Sequence, residues 1–264
     1  MQGIARSLFD YRYFIFNSIR NDFYARFVRS KLGGVWLILH PLSQVLIYAF
    51  ILSNLLSSRL PGVAGTYAYA VYLMAGLLAW NLFTEIIDRC VKIFIVNGNT
   101  IKKVSFPRIA LPIIAIGSAL VNNLVLFVVM NVIFLVLGHP ITPVIALYFV
   151  LTPLVAALAA GVGLILGVLN VFIRDIEQVV PILLQVLFWF TPIVYPVSII
   201  PEQYIPLLQL SPIFTFVEAY HQMIVYHQVP QLGGMVFIGV LAALLCLFAF
   251  TLFRRASADM VDAL

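Results

Sequence analysis

The run PVIALYFVLTPLVAALAAGVGLILGVLNVF, residues 143–172, carries no charged side chain and ends against Ile173, Arg174 and Asp175. At ~1.5 Å per residue a helix of that length covers more than the ~30 Å hydrocarbon core of a bilayer. Its internal glycines and proline, without any alternation of apolar and polar residues, fit a helix and not an outer-membrane strand. Working outward, five further stretches are long and apolar enough for the same role, near 35–57, 68–90, 109–137, 178–198 and 232–253. The expected fold class is therefore an all-α membrane protein, with six transmembrane helices in a single domain over residues 1–264. Composition agrees: 63% of residues are hydrophobic and 9% charged, against roughly 45–50% and 25% in an average soluble domain.

Charge then sets the orientation. Of the 15 lysines and arginines, all but Arg59 fall on one side of a six-span arrangement. They are Arg6, Arg12, Arg20, Arg26, Arg29 and Lys31 before the first span, Arg89, Lys92, Lys102, Lys103 and Arg108 around the second-to-third connection, then Arg174, Arg254 and Arg255. Basic residues stay on the cytoplasmic side, so both termini are expected on that side of the membrane. A net charge of +5 dispersed through apolar runs makes no basic face, and no nucleic-acid partner is expected. Residues 1–31 are polar and Arg-rich without a short apolar core and small-residue cleavage site, so no secretory signal peptide is expected. Cys90 and Cys246 sit at or within apolar runs, and His40, His139, His221 and His227 show no ligand spacing, so neither a disulfide framework nor a metal is expected.

Two segments do not span. Residues 6–31 place Tyr11, Ile15, Ile19, Phe23 and Phe27 at four-residue spacing among Arg, Asp and Asn, the pattern of an amphipathic helix lying on the inner leaflet, although Arg12 and Arg26 interrupt the stripe. Residues 191–230 are too apolar for an ordinary loop and too broken by Pro192, Pro196, Pro201, Pro206 and Pro212 for one helix. Short helices near 203–210 and 213–226, dipping into the outer leaflet, satisfy this pattern, either as a moving part or as a fixed cap. The small residues of the opening run, Ala156, Ala157, Ala159, Ala160, Gly161, Gly163 and Gly167, lie on more than one helix face and call for close packing against another span or a second copy of the chain.

Chemistry is sparse. No phosphate-cradling Gly-x-x-x-x-Gly-Lys-Ser/Thr, no Gly-x-Ser-x-Gly and no dinucleotide fingerprint occurs, so the chain has no visible means of hydrolysing a nucleotide. Glu85 stands four residues before Arg89 and Asp88 four before Lys92, the favourable order for helical ion pairs. Glu218 and His221, three apart, share one face of an outer helix, more often a solvated surface than a site. Spans nearly free of charge argue against a proton- or sodium-coupled carrier. A membrane-embedded acyl- or glycosyltransferase would have to draw on Glu202, Glu218, His221 and His227.

An ordered set of motifs resembles the type-2 ABC exporter permeases for O-antigen, capsule and teichoic acid. The motifs are RFVRSKLG at 26–33 leading to Trp36 and Pro41, AGLLAWNLF at 75–83, NGN at 97–99, IKKVSFPR at 101–108, FIRDI at 172–176, TPIVYP at 191–196, then Ile200-Pro201 and Leu210-Ser211-Pro212. Ala79 departs from a common proline before Trp80, and Ser211 from a common asparagine before Pro212. A drug, haem or lipid exporter permease is the nearest alternative, less favoured because the 102–108 connection resembles the glycan group. The resemblance implies a homodimer with two copies of a separate ATPase subunit, which holds the ATP and Mg, and a lipid-linked polysaccharide as substrate. Contacts to the ATPase fall on residues 6–31 and on the 93–107 connection, with Asn97, Gly98, Asn99, Lys102, Lys103, Arg174 and Asp175 as the candidates, and 192–226 becomes the periplasmic gate. Arg26, Arg29, Lys31, Lys102 and Lys103 form a basic collar for a lipid pyrophosphate, or equally for anionic membrane lipid. A hydrophilic polymer crossing spans with little charge calls for an aromatic path, for which Tyr48, Trp80, Phe83, Trp189, Phe190 and Tyr195 are candidates, each also able to serve as packing or belt.

Overall fold

A computed structural model describes residues 9–28, 35–36, 39, 42–43, 68–103, 107–136, 138–257 and 259–263. Most of the expected first span, including Tyr48, lies outside these residues, as do Arg29, Lys31 and the side chain of Arg26. Among the described residues the regular elements are all helices, the α-helices being α1 (Arg12–Val28), α2 (Ala68–Val96), α3 (Gly98–Lys103), α4 (Ala110–Val136), α5 (Tyr148–Phe172), α6 (Ile176–Phe190), α7 (Ile205–Gln209), α8 (Pro212–Ile224), α9 (Leu232–Ala256) and α10 (Asp259–Ala263). Four of them, α2, α4, α5 with the 3-10 turn Pro143–Leu147 before it, and α9, are long and apolar enough to cross a membrane. These fall where the apolar runs at 68–90, 109–137, 143–172 and 232–253 place them.

The fifth run differs. Expected over 178–198, its helix α6 spans only 15 residues, about 22 Å at ~1.5 Å per residue. Thr191 stops it: the residue before a proline is driven out of the helical region, and Thr191 adopts φ −98° and ψ 133°. Thr191 to Val194 then turn inward and are buried against the core.

At the centre stands α2, whose residues are buried around nearly the whole helix circumference from Ala68 to Trp80. A helix apolar on every face belongs inside its bundle. Its principal neighbour is α5, and the glycines of α5 explain the approach. A Cβ on Gly163 would sit 2.9 Å from Cys90 Cβ and 3.2 Å from Ile87 Cα, and one on Gly167 would run into the Cys90 carbonyl. On another face, a Cβ on Gly161 would lie 2.8 Å from Leu245 Cβ and 3.0 Å from the Cys246 nitrogen, both in α9. The small-residue faces thus pack α2 and α9 of the same chain onto α5.

Lipid offers no hydrophobic contrast between helices, so interhelical hydrogen bonds complete the packing. Asn170 donates to Val91 O at 2.9 Å and accepts from the Glu177 nitrogen at 3.1 Å, tying α5 to both α2 and α6. Asn123 of α4 donates to Leu78 O at 2.9 Å and accepts from Tyr148 OH at 2.8 Å. Thr152 and Tyr220 share a 2.7 Å hydrogen bond between α5 and α8. The half-buried positions of α1, among them Ile15, Ile19, Asp22 and Phe23, recur at three- and four-residue steps, and Ile19 seats on Gly117 of α4.

Candidate functional site

One end of the bundle gathers the charged residues. Arg89 donates to Glu85 Oε1 at 3.0 Å and to Asp22 Oδ2 at 2.9 Å, and Glu85 Oε1 also accepts from Asn122 Nδ2 at 2.7 Å. The Lys92 and Asp88 side chains pair at 2.6 Å. Both ion pairs expected from four-residue spacing are therefore present, but Asp22 and Asn122 join α1 and α4 to the first of them, which spacing could not indicate. This network pins α1 to the end of α2.

Directly beyond it the chain turns. Asn97 donates from Nδ2 to Ile93 O at 2.8 Å, while its own carbonyl accepts from Thr100 and Ile101 at 3.0 and 2.9 Å, converting α2 into the separate short helix α3. Gly98 and Ile101 are buried in this corner; Asn99, Lys102 and Lys103 are exposed. Arg174 and Asp175, exposed in the turn between α5 and α6, belong to the same end of the bundle, since Asn170 holds that turn to α2. Phe94 stacks on Phe253 at 5.6 Å, and Arg108 hydrogen-bonds the backbone and hydroxyl of Ser257, so the end of α9 closes the cluster.

The opposite end is built by proline and tyrosine. Tyr69 OH donates to Val194 O at 2.8 Å, and Tyr72 OH to Pro192 O at 3.0 Å and Tyr195 O at 3.2 Å. Prolines disrupt regular backbone pairing at 191–196, and two phenols from consecutive turns of α2 satisfy its carbonyls instead. His221 of α8 lies flat on Tyr72, ring centroids 3.8 Å apart, and is wholly buried. A Cβ on Gly76 would sit 2.9 Å from His221 Nε2 and 3.2 Å from Ile193 Cγ2, so glycine at 76 makes room for both. The expected solvated Glu218–His221 face is thus corrected: Glu218 is half-buried, its Oε2 is 3.9 Å from His221 Nδ1, and neither imidazole nitrogen has a hydrogen-bond partner among the described residues. His227, in a left-handed conformation at φ 54°, pairs with His139 at 4.9 Å between ring centroids and with Thr142 at 3.3 Å. Burial, then the neighbouring His139, lowers the His227 pKa.

The candidate aromatic path is divided. Trp80 and Phe83 are buried, Trp80 against Phe83 and Phe188 at 6.1 and 5.6 Å and Phe83 against Phe216 at 5.3 Å. Trp189 and Phe190 are exposed on α6, and Tyr195 OH donates to Trp189 O at 2.8 Å. Tyr69, Tyr72, Gly76, Asn122 and His221 were the residues that motif reading passed over or undervalued. Tyr69, Tyr72 and Gly76 at three- and four-residue steps along one face were the legible signal.

Residues 15–225, which include the charged corner and the proline-rich turn, match the family model for ABC-2 type transporters. The chain belongs to the ABC-2 type transporter family. It is 25% identical to an O-antigen export system permease protein RfbA of Myxococcus xanthus, covering all of both chains. It is 29% identical to an O-antigen export system permease protein RfbA of Klebsiella pneumoniae over 76% of each chain. A polysialic acid transport protein KpsM of Escherichia coli is 25% identical over 90% of this chain and 91% of its own. Members of this family are membrane subunits of transporters, and four spanning helices make this chain a multi-pass membrane protein.

Proposed function

We propose that this chain is the permease subunit of an exporter that moves a lipid-linked polysaccharide across the bacterial inner membrane, two copies pairing above two copies of a separate ATPase. The observation that carries this reading is the end-to-end match to an O-antigen export permease. Supporting it, the candidate ATPase contacts Asn97, Gly98, Asn99, Lys102, Lys103, Arg174 and Asp175 share the charged end of the bundle, where α1 is fastened by Asp22 to Arg89. The exposed apolar residues of α6, Ile182, Leu183, Val186 and Phe190 among them, suit a surface that a second copy or lipid covers. The inward course of 191–194 and the deep seat of α8 suit a re-entrant gate.

Deleting the gene should strip the polysaccharide from the cell surface and leave it on its lipid inside. The purified chain alone should hydrolyse no ATP, whereas its complex with the ATPase should. Undiminished surface polymer, or ATP turnover by the isolated chain, would refute the proposal. In the same assay, replacing Lys102 and Lys103 together by glutamine should lower export without lowering assembly if the collar meets lipid pyrophosphate; unchanged export reduces the pair to a topology signal.

The six-span arrangement with both termini cytoplasmic rests on the one-sided distribution of basic residues. Reporter fusions after residues 100 and 258 should read cytoplasmic, and fusions after 62 and 215 periplasmic. A periplasmic reading at 100 would invert the arrangement.

A further inference from the structure

Two neighbouring cavities, of about 330 and 290 Å³, open beside the proline-rich turn and share Val197, Glu218 and Gln222 in their walls. The first lies among α7, α8 and the start of α9, and the second between α8 and the 196–198 turn. Each approaches the size of an ordinary small-ligand cleft. Gln209, Gln222, Gln228 and Gln231 supply four amides, Tyr226 a phenol and Glu218 a carboxylate.

A side-chain amide presents donors and an acceptor together, and a carboxylate presents acceptors alone. That combination meets neighbouring hydroxyl groups, each of which both donates and accepts. Gln222 Nε2 already donates to Glu218 Oε1 at 3.3 Å, which orients the carboxylate at the boundary between the two cavities. Burial, and Glu218 beside it, raise the Tyr226 pKa, so its hydroxyl remains a donor. Positive charge is missing by sequence: residues 175–253 contain no lysine or arginine, although they include every residue of the first cavity. A polyanion placed in the first cavity would face Glu218 with no compensating cation among the described residues of its wall. A single carboxylate among four amides also fits a polyol better than an ammonium headgroup, which uses acceptors only.

We infer that these adjoining cavities bind a neutral, hydroxyl-rich stretch of glycan, and that the polymer this chain exports is therefore uncharged along its repeat. The inference rests on the export reading and narrows it to one substrate class. Tyr72, whose hydroxyl is bonded to the Pro192 carbonyl, forms part of the second cavity's wall, and buried His221 stacks behind it.

The permease–ATPase complex in phosphatidylcholine nanodiscs, titrated with mannohexaose and with hexagalacturonic acid, tests this by saturation-transfer NMR. Mannohexaose should bind in the millimolar range and the acidic oligomer at least tenfold more weakly. Gln222→Ala and, on the exposed rim, Gln231→Ala should each weaken mannohexaose roughly three- to tenfold, the scale of one lost hydrogen bond. Glu218→Gln, close to the same shape, should narrow the gap between the two probes. Equal or tighter binding of the acidic oligomer, binding of neither, or indifference to all three variants overturns the inference. Sugar analysis of the polymer lost on gene deletion separates the two levels. A polymer rich in uronic or sialic acid refutes the neutral-substrate inference and leaves export standing, whereas no lost polymer refutes export itself.

Discussion

Gly167→Leu is expected to yield no folded, monodisperse protein, and Gly167→Ala a protein markedly easier to unfold. A Cβ at this position meets the Cys90 carbonyl oxygen and comes within 3.1 Å of its carbon. Both are backbone atoms of the central helix, so no rotamer change relieves them and α5 must move off α2. Over-packing of this kind costs about 1–3 kcal/mol, occasionally more. The displacement would also stretch the nearby Asn170 to Val91 hydrogen bond, adding to the loss. Gly239→Ala is the matched control, because its added Cβ would find only Leu154 Cδ2 at 3.5 Å, an ordinary contact. Melting in detergent, followed by size-exclusion recovery, should separate Gly167→Ala clearly from wild type and leave Gly239→Ala within about 0.5 kcal/mol of it. Equal melting of the two glycine variants would contradict the close approach of α2 and α5.

Removing both phenols that hold the proline-rich turn, Tyr69→Phe with Tyr72→Phe, should abolish most export while leaving the protein in the membrane. The carbonyls of Pro192, Val194 and Tyr195 would each lose the phenol donor that now bonds them. An acceptor left unsatisfied in a buried place costs about 1–3 kcal/mol. That loss is confined to the turn, since the rings remain to pack and Tyr72 keeps its stacking on His221. Protease sensitivity within 191–200 should therefore rise sharply before global melting falls. Tyr195→Phe removes only the bond to Trp189 O in an exposed setting, and should change export little. A double variant with wild-type protease resistance and export would show that the phenols are incidental to the turn.

These expectations draw unequally on sequence and structure. The four long helices and the ion pairs Glu85–Arg89 and Asp88–Lys92 were legible in the sequence, because apolar length and four-residue spacing are properties of a single helix. The break at Pro192 was legible too, yet the apolar run continued past it, so the end of α6 at Phe190 was overshot by composition alone.

Partners across the bundle were not legible. Asp22 reaches Arg89 across 67 residues, and Tyr69 reaches Val194 across 125. His221 sits three residues from a carboxylate, which suggested water, but α8 turns it onto Tyr72 and seals it away. The physical reason lies in the solvent. In a soluble protein, hydrophobic periodicity marks the buried face, whereas lipid is as apolar as a helix's own side chains and erases that contrast. Helix existence, length and the sidedness of charge are therefore written along the chain. Which face of α5 receives α2, which phenols hold the 191–196 turn, and which polar side chains converge on the two cavities are decided only when small residues let backbones meet and buried donors find acceptors in three dimensions.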